Sequence, residues 1–140
     1  RSRVVLKVND QARDGTVFSP AAAREEYTMT MSAWGTLTGE AAYTYGALTH
    51  TKDAEKGFGN FNRSGYSNPE FDKVFGEGSQ TLDPEGRKKL YEQASFIAME
   101  DRALIPTVIL QTVWAANADT IDMTPRVDQE TRTYAITPVK

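Results

Sequence analysis

The 140 residues predict a mixed α/β domain, a mixed sheet forming one layer and helices packed on it, spanning 1–140 as a single unit. Three observations lead there. Asn68-Pro69 and Asp83-Pro84 mark two successive helix starts. Residues 27–34 alternate, with Tyr27, Met29, Met31 and Ala33 on one side and Thr28, Thr30, Ser32 and Trp34 on the other, as a half-buried strand does. Residues 104–116 are apolar and β-branched, with Pro106 near the start, which suits a strand whose first residues lie at an edge.

In chain order, residues 3–8 carry Val4, Val5, Leu6 and Val8 and predict a strand ended by Asn9-Asp10 and Asp14-Gly15. Ser19-Pro20 opens a short helix through Ala21 to about Glu26. After the alternating strand, residues 40–50 favour helix through Ala41, Tyr45 and Leu48, although Gly46 costs about 1 kcal/mol against alanine. Residues 52–67 mix Gly57, Gly59, Asn60, Asn62 and Gly65 with Phe58, Phe61 and Tyr66. A long loop of this kind tends to be functional, and its aromatics need something to pack on. Asn68 and Asp83 then cap helices whose first position is proline: the cap accepts an orphan backbone N–H, and proline gives up a donor the first turn has no use for. Phe71, Val74, Phe75 and Gly78 share one face of the first helix, and Leu90, Ala94, Ile97 and Ala98 share one face of the second. A final strand is expected within 131–137.

Composition excludes several classes of function. A net charge of −3 gives no reason to expect nucleic acid or an anionic membrane as partner. No stretch has the apolar length that spans a bilayer, and without cysteine there is neither disulfide nor thiolate metal site. The opening Arg1-Ser2-Arg3-Val4 lacks the charged-then-apolar layout of a signal peptide.

The words Tyr27-Thr28-Met29-Thr30-Met31-Ser32-Ala33-Trp34-Gly35, Tyr66-Ser67-Asn68-Pro69-Glu70-Phe71-Asp72, Asp83-Pro84 with Arg87 and Leu90-Tyr91, Glu100-Asp101 with Ile105-Pro106, Val113-Trp114-Ala115, and Thr124-Pro125-Arg126 with Asp128 and Thr131 follow one another in fixed order. No single word is specific, but the succession, across residues 18–138, resembles the family 5 solute-binding proteins of bacterial ABC importers, which take up peptides, nickel chelates, opines and related solutes. The resemblance implies the C-terminal lobe fragment of a periplasmic-binding-protein fold, type II-like, from a longer two-lobed protein. It implies a periplasmic or extracytoplasmic location, capture of a peptide or similar solute, and no catalysis and no cofactor. The implied partners are the solute, the permease subunits and the missing N-terminal lobe of the same protein.

Trp34 is the leading site residue. It stands at the carboxyl end of the predicted strand, where open α/β sheets place ligands, and it offers a stacking face and an N–H donor. Spacing alone is equally served by an aromatic that closes the core edge; the resemblance puts this tryptophan at the cleft. The loop after it supplies Gly35, Thr36, Thr38 and Gly39 as neutral hydrogen-bonding groups, with Glu40 as a charge if it turns inward. In many peptide-binding members an aspartate three residues past this tryptophan meets the ligand's ammonium. Leu37 stands there instead. The threonines are also ordinary turn and cap residues, Thr38 or Gly39 serving to cap the following helix.

Other candidates carry less chemistry. His50 with Asp53 suggests a metal pair or a general base, the basis of an alternative reading as a small hydrolase or isomerase. Neither further ligands nor an oriented nucleophile accompany them, and an exposed residue at a helix end is the simpler expectation. Ser32, Ser64 and Ser67 lack a nucleophile-elbow setting. Asp119, Asp122 and Asp128 are too loosely spaced for a calcium loop, so no metal site is expected. Gly57-Phe58-Gly59 is too short to cradle phosphate. Asn62-Arg63-Ser64 matches a glycosylation acceptor. Glu100-Asp101 sits where the helix dipole disfavours carboxylates, and Arg102 or Arg126 is the expected compensation; Arg126 is otherwise a surface ion-pair partner. A third reading makes the aromatic loop 58–66 the contact surface of a protein-interaction module.

Overall fold

A computed structural model describes residues 7–124, 126, 128 and 130–139. It contains four α-helices, α1 (Gly15–Ala23), α2 (Ala41–Leu48), α3 (Pro69–Gln80) and α4 (Pro84–Glu100), and two short strands, β1 (Ile121–Met123) and β2 (Ile136–Pro138). Helix and strand are thus mixed, as the class requires. The sheet, however, is a single antiparallel pair, with Ile121 opposite Pro138 and Met123 opposite Ile136.

The two proline-led helices form as their sequences dictate. Asn68 Oδ1 accepts the amides of Glu70 and Phe71 at 2.8 and 3.3 Å, and Asp83 Oδ2 accepts that of Gly86 at 2.7 Å. Phe71, Val74, Phe75 and Gly78 are all buried, against Tyr91, Ala94 and Ala98 of α4. Leu90 and Ile97 flank this seam half-buried. Burying a side chain the size of phenylalanine stabilises by about 1.5–3 kcal/mol, so Phe71 and Phe75 anchor the pair. Tyr45 of α2 and Phe58 and Tyr66 of the 52–67 loop close over the same core. Gly46 has its reason here: a Cβ on it would lie 3.1 Å from the Phe75 ring, so glycine lets α2 approach α3.

Helix α1 starts earlier than Ser19-Pro20 suggests. Asp14 is the cap, its Oδ1 accepting both the amide and the hydroxyl of Thr16. Pro20 therefore lies inside the helix, where it removes one ladder bond. Both α1 and α4 end in the same double closure. Glu25 and Glu26 amides return to Ala22 and Ala21, and Arg102 and Ala103 amides return to Met99 and Ala98. Glu25 and Arg102 take the left-handed conformation such a cap needs, at φ 59° and 56°.

The β expectations fare differently. Residues 27–33 and 104–116 form no strand, and most of their apolar side chains lie open: Met29 and Met31 are exposed, as are Val113 at 84% and Ile109 at 96%, while Tyr27, Leu104 and Trp114 are half-buried. A strand exists only where its N–H and C=O groups find a neighbour, and none pairs with these segments among the described residues. In 131–137 the strand is displaced, because a 3-10 turn occupies Thr133–Ala135 and β2 begins at Ile136. The strand predicted over 3–8 lies mainly outside the described residues; Lys7 and Val8 are irregular and exposed. No strand residue belongs to the core cluster, so the core is helix on helix, not helices on a sheet.

Candidate functional site

Trp34 does not sit at the end of a strand. It is held by aromatic packing, half-buried, with the Tyr43 ring of α2 stacked at 5.5 Å and the Phe61 ring tilted at 5.2 Å. Phe61 arrives there because the 52–67 loop is stitched to α2: the Gly59 amide donates to the Gly46 carbonyl at 2.7 Å and the Phe61 amide to the Ala47 carbonyl at 2.9 Å. Arg63, two residues on, sets its guanidinium 5.3 Å from the Phe61 ring centroid. The indole Nε1 is sealed from solvent and, among the described residues, has no hydrogen-bond acceptor. A buried donor left so costs about 1–3 kcal/mol.

The loop after Trp34 is exposed throughout 35–40. Thr38 Oγ1 accepts the Glu40 amide at 3.2 Å and Thr36 Oγ1 donates to the Glu40 carbonyl at 3.4 Å, so both threonines turn back on their own loop. Gly39, at φ 72°, makes the turn, and Gly35 has open space around it. Leu37 points to solvent. Glu40 pairs with Arg87 of α4 at 3.2 Å. That pair borders a cavity of about 290 Å³ lined also by Lys88, Tyr91, Glu92 and Ser95. Burial, aided by the nearby Glu40 charge, pushes the Tyr91 phenol up.

Asn62 organises the segment beneath. Fully buried, it donates from Nδ2 to the carbonyls of His50 and Tyr66 at 3.2 and 2.7 Å and accepts the Tyr66 amide and the Ser64 hydroxyl on Oδ1, both at 3.2 Å. An amide nitrogen committed inward twice is no glycan acceptor in the folded chain. Gly59 lies close by with φ 68°, and a Cβ there would meet the His50 carbonyl at 2.6 Å.

His50 is not the exposed helix-end residue expected from its position. It is 9% exposed, its ring 4.4 Å from that of Phe58 and 5.3 Å from that of Phe75. The sequence gives no hint of this because the aromatics that enclose it come from the loop and from α3. Its Nδ1 lies 2.7 Å from the Thr51 carbonyl, which only accepts, so Nδ1 carries the hydrogen. Asp72, not Asp53, is the nearest carboxylate, at 3.5 Å, and it also receives the Thr51 amide at 3.0 Å. Asp53 instead binds the Lys56 amide within its turn, which holds its carboxyl below the usual range. Ser64 bonds to Asn62, and Ser67 accepts from the Thr51 hydroxyl at 2.9 Å.

The carboxylate at the end of α4 is compensated by neutral groups, not by an arginine. Asp101 Oδ2 accepts the Tyr66 phenol and the Asn68 side-chain amide, both at 2.7 Å, and these bonds hold its pKa below the ordinary value. Burial, together with the bond to the Asp101 carboxylate, pushes the Tyr66 phenol pKa up. Among the described residues the Arg102 guanidinium donates only to the Glu100 carbonyl, while Arg126 grips Asp128 and holds its carboxyl down to about 2. Among the described residues no three metal-ligating side chains converge.

The chain matches no family model, no curated protein and no solved structure. The geometry therefore carries the argument. Of the residues singled out in the sequence, Trp34 enters a shared aromatic cluster, and Gly35, Thr36, Thr38 and Gly39 form the exposed turn beside it. Tyr43, Phe61, Arg63 and Asn62 complete the arrangement; the run of aromatics in the loop marked Phe61, while nothing in the sequence tied Tyr43 or Arg63 to Trp34.

Proposed function

We propose that this chain is the C-terminal portion of the extracytoplasmic solute-binding component of an ABC importer, one wall of a cleft that closes on a small solute by hinge motion and then docks on the permease. The observation that carries this reading is the state of residues 27–33 and 104–116. Both have strand-like sequence, both leave apolar side chains such as Met29, Met31, Val108, Ile109 and Val113 exposed, and neither has a ladder partner among the described residues. Such segments are complete only when further chain pairs with them, as the remainder of a type II-like two-lobed protein would. A second support is the Trp34, Tyr43 and Phe61 cluster, an aromatic wall with an exposed, hydrogen-bonding turn at its edge.

Phe58 and Tyr66 turn inward onto Phe75 and Phe71, which favours this reading over an interaction module built on the loop. The enclosure of His50 and the inward bonding of Ser64 and Ser67 favour binding over hydrolysis. In the intact two-lobed protein, Trp34→Ala should weaken solute binding by about 1–3 kcal/mol by calorimetry. Equal affinities would assign Trp34 to the core and remove the site.

A further inference from the structure

Three tyrosines serve the helical core, and two of their hydroxyls are paired. Tyr45 bonds Ser95 Oγ at 2.5 Å, and Tyr66 donates to Asp101 Oδ2 at 2.7 Å. The third, Tyr91, is the most enclosed of them at 8% exposed, yet its hydroxyl finds no hydrogen-bond partner among the described residues. Its ring edge is pressed onto Gly78 of α3, where a Cβ would come within 2.8 Å of Cε1. The charges that act on its hydroxyl are those of Glu40 and Arg87, which line the same cavity of about 290 Å³. Burial keeps the phenol in its hydrogen-bearing form, so it stands there as a free donor.

The rest of the lining is balanced in sign. Arg87, Tyr91 and Ser95 form one row of α4 at four-residue spacing, and Lys88 and Glu92 form the next. Two cations and two anions thus face the cavity, Glu40 being the second anion. Their mutual pairing is loose. Arg87 Nη2 meets a single Glu40 oxygen at 3.2 Å and Nη1 reaches the Thr81 carbonyl only at 3.5 Å, while Lys88 and Glu92 stand 4.0 Å apart. Each therefore retains donors or acceptors for a guest. A purely anionic guest would meet both carboxylates, and a purely cationic one both cations. The volume lies just below the roughly 300 Å³ at which drug-sized sites begin, so the guest is smaller than that.

We propose that the cavity between the start of α2 and α4 binds a zwitterion of the size of a free α-amino acid, its carboxylate taken by Arg87 and the Tyr91 hydroxyl and its ammonium by Glu40 and Glu92. This goes beyond the reading of Trp34 and does not depend on it. All the groups involved belong to Glu40 and α4, so the site is complete within this chain.

The test follows backbone amide resonances of the isotope-labelled 140-residue chain during titration with L-alanine, with L-alaninamide, which keeps only the ammonium, and with N-acetyl-L-alanine, which keeps only the carboxylate. L-Alanine should shift the amides of Ala41, Arg87, Tyr91 and Ser95 saturably, with half-saturation at about 1 mM, and each singly charged analogue should need about tenfold more. Tyr91→Phe keeps the ring and removes only the unpaired hydroxyl. It should raise the half-saturation concentration about fivefold and leave the urea midpoint unchanged to within about 0.3 M. No saturable shift with L-alanine, or half-saturation by either analogue at an equal or lower concentration, overturns the proposal. So does a Tyr91→Phe variant that binds L-alanine as the parent does, or that unfolds at clearly lower urea, which would give the hydroxyl a structural bond instead.

Discussion

Replacing Asn62 with alanine tests the central structural claim, that one buried amide ties the 52–67 loop to the helical core. The side chain is fully buried and makes four hydrogen bonds. Exposed Ser64 regains water when its bond is lost. The carbonyls of His50 and Tyr66 and the Tyr66 amide do not all have that option, and each buried group left unpaired costs about 1–3 kcal/mol. With two of the three orphaned, the loss is about 2–6 kcal/mol, a large share of the 5–15 kcal/mol typical of a whole domain. At a urea dependence of about 2 kcal/mol per molar, the midpoint followed by circular dichroism should fall by about 2 M. Asn62→Asp should do at least as much harm, since it keeps the size but turns a carboxylate oxygen toward two carbonyls. A fall of less than about 0.5 M for Asn62→Ala, with unchanged slope, would mean that water replaces the amide and the bonds to α2 hold the loop by themselves.

Gly59→Ala should cost about 3 kcal/mol or more and lower the thermal midpoint by about 10 °C, because φ is 68° and the new Cβ meets backbone, the His50 oxygen at 2.6 Å and Lys52 Cα at 2.8 Å. A stable Gly59→Ala would refute the packing of the loop on residues 50–52. Asp83→Ala removes the acceptor of the Gly86 amide and should cost about 1 kcal/mol in urea unfolding; an unchanged midpoint would show that another group caps α4. Asp101 has a folded-state pKa depressed by Tyr66 and Asn68, so its stabilisation is present above the ordinary carboxylate pKa and fades as the pH falls through the lower, folded one. The pH dependence of the urea midpoint between about pH 5 and pH 2 should therefore flatten in Asp101→Asn, and an identical slope in both proteins would contradict the bonds to Tyr66 and Asn68.

The helices were legible where local chemistry decides them. Asn68 and Asp83 act through atoms two or three residues away, and the stripes Phe71 to Gly78 and Leu90 to Ala98 follow the helical period, so no distant information was needed. Ser19-Pro20 misled because the same device stood inside a helix already started by Asp14, whose side chain competed successfully for the first-turn donors. The strands were not legible for the opposite reason. Alternation in 27–33 and β-branching in 104–116 report a preference, but a strand needs a neighbour, and neither segment has one among the described residues. His50 went from exposed to enclosed through Phe58 and Phe75, residues 8 and 25 positions away, a contact that no local pattern encodes. Of the site, the sequence marked Trp34 and its turn; Tyr43 and Arg63 became visible only when the loop's path along α2 brought Phe61 to the indole.

The exposed run 107–114 also bears on how this chain behaves in a test tube. Thr107 to Trp114 contains no charge and no proline, and its Val108, Ile109, Leu110 and Val113 are all open to solvent. Six or seven such residues are the signature of segments that stack into cross-β fibrils when nothing shields them. Concentrated solutions of the isolated 140 residues should therefore seed aggregation from this window first. Ile109, 96% exposed, offers the place to interrupt it: a lysine there sacrifices almost no packing and puts a charge in the middle of the run.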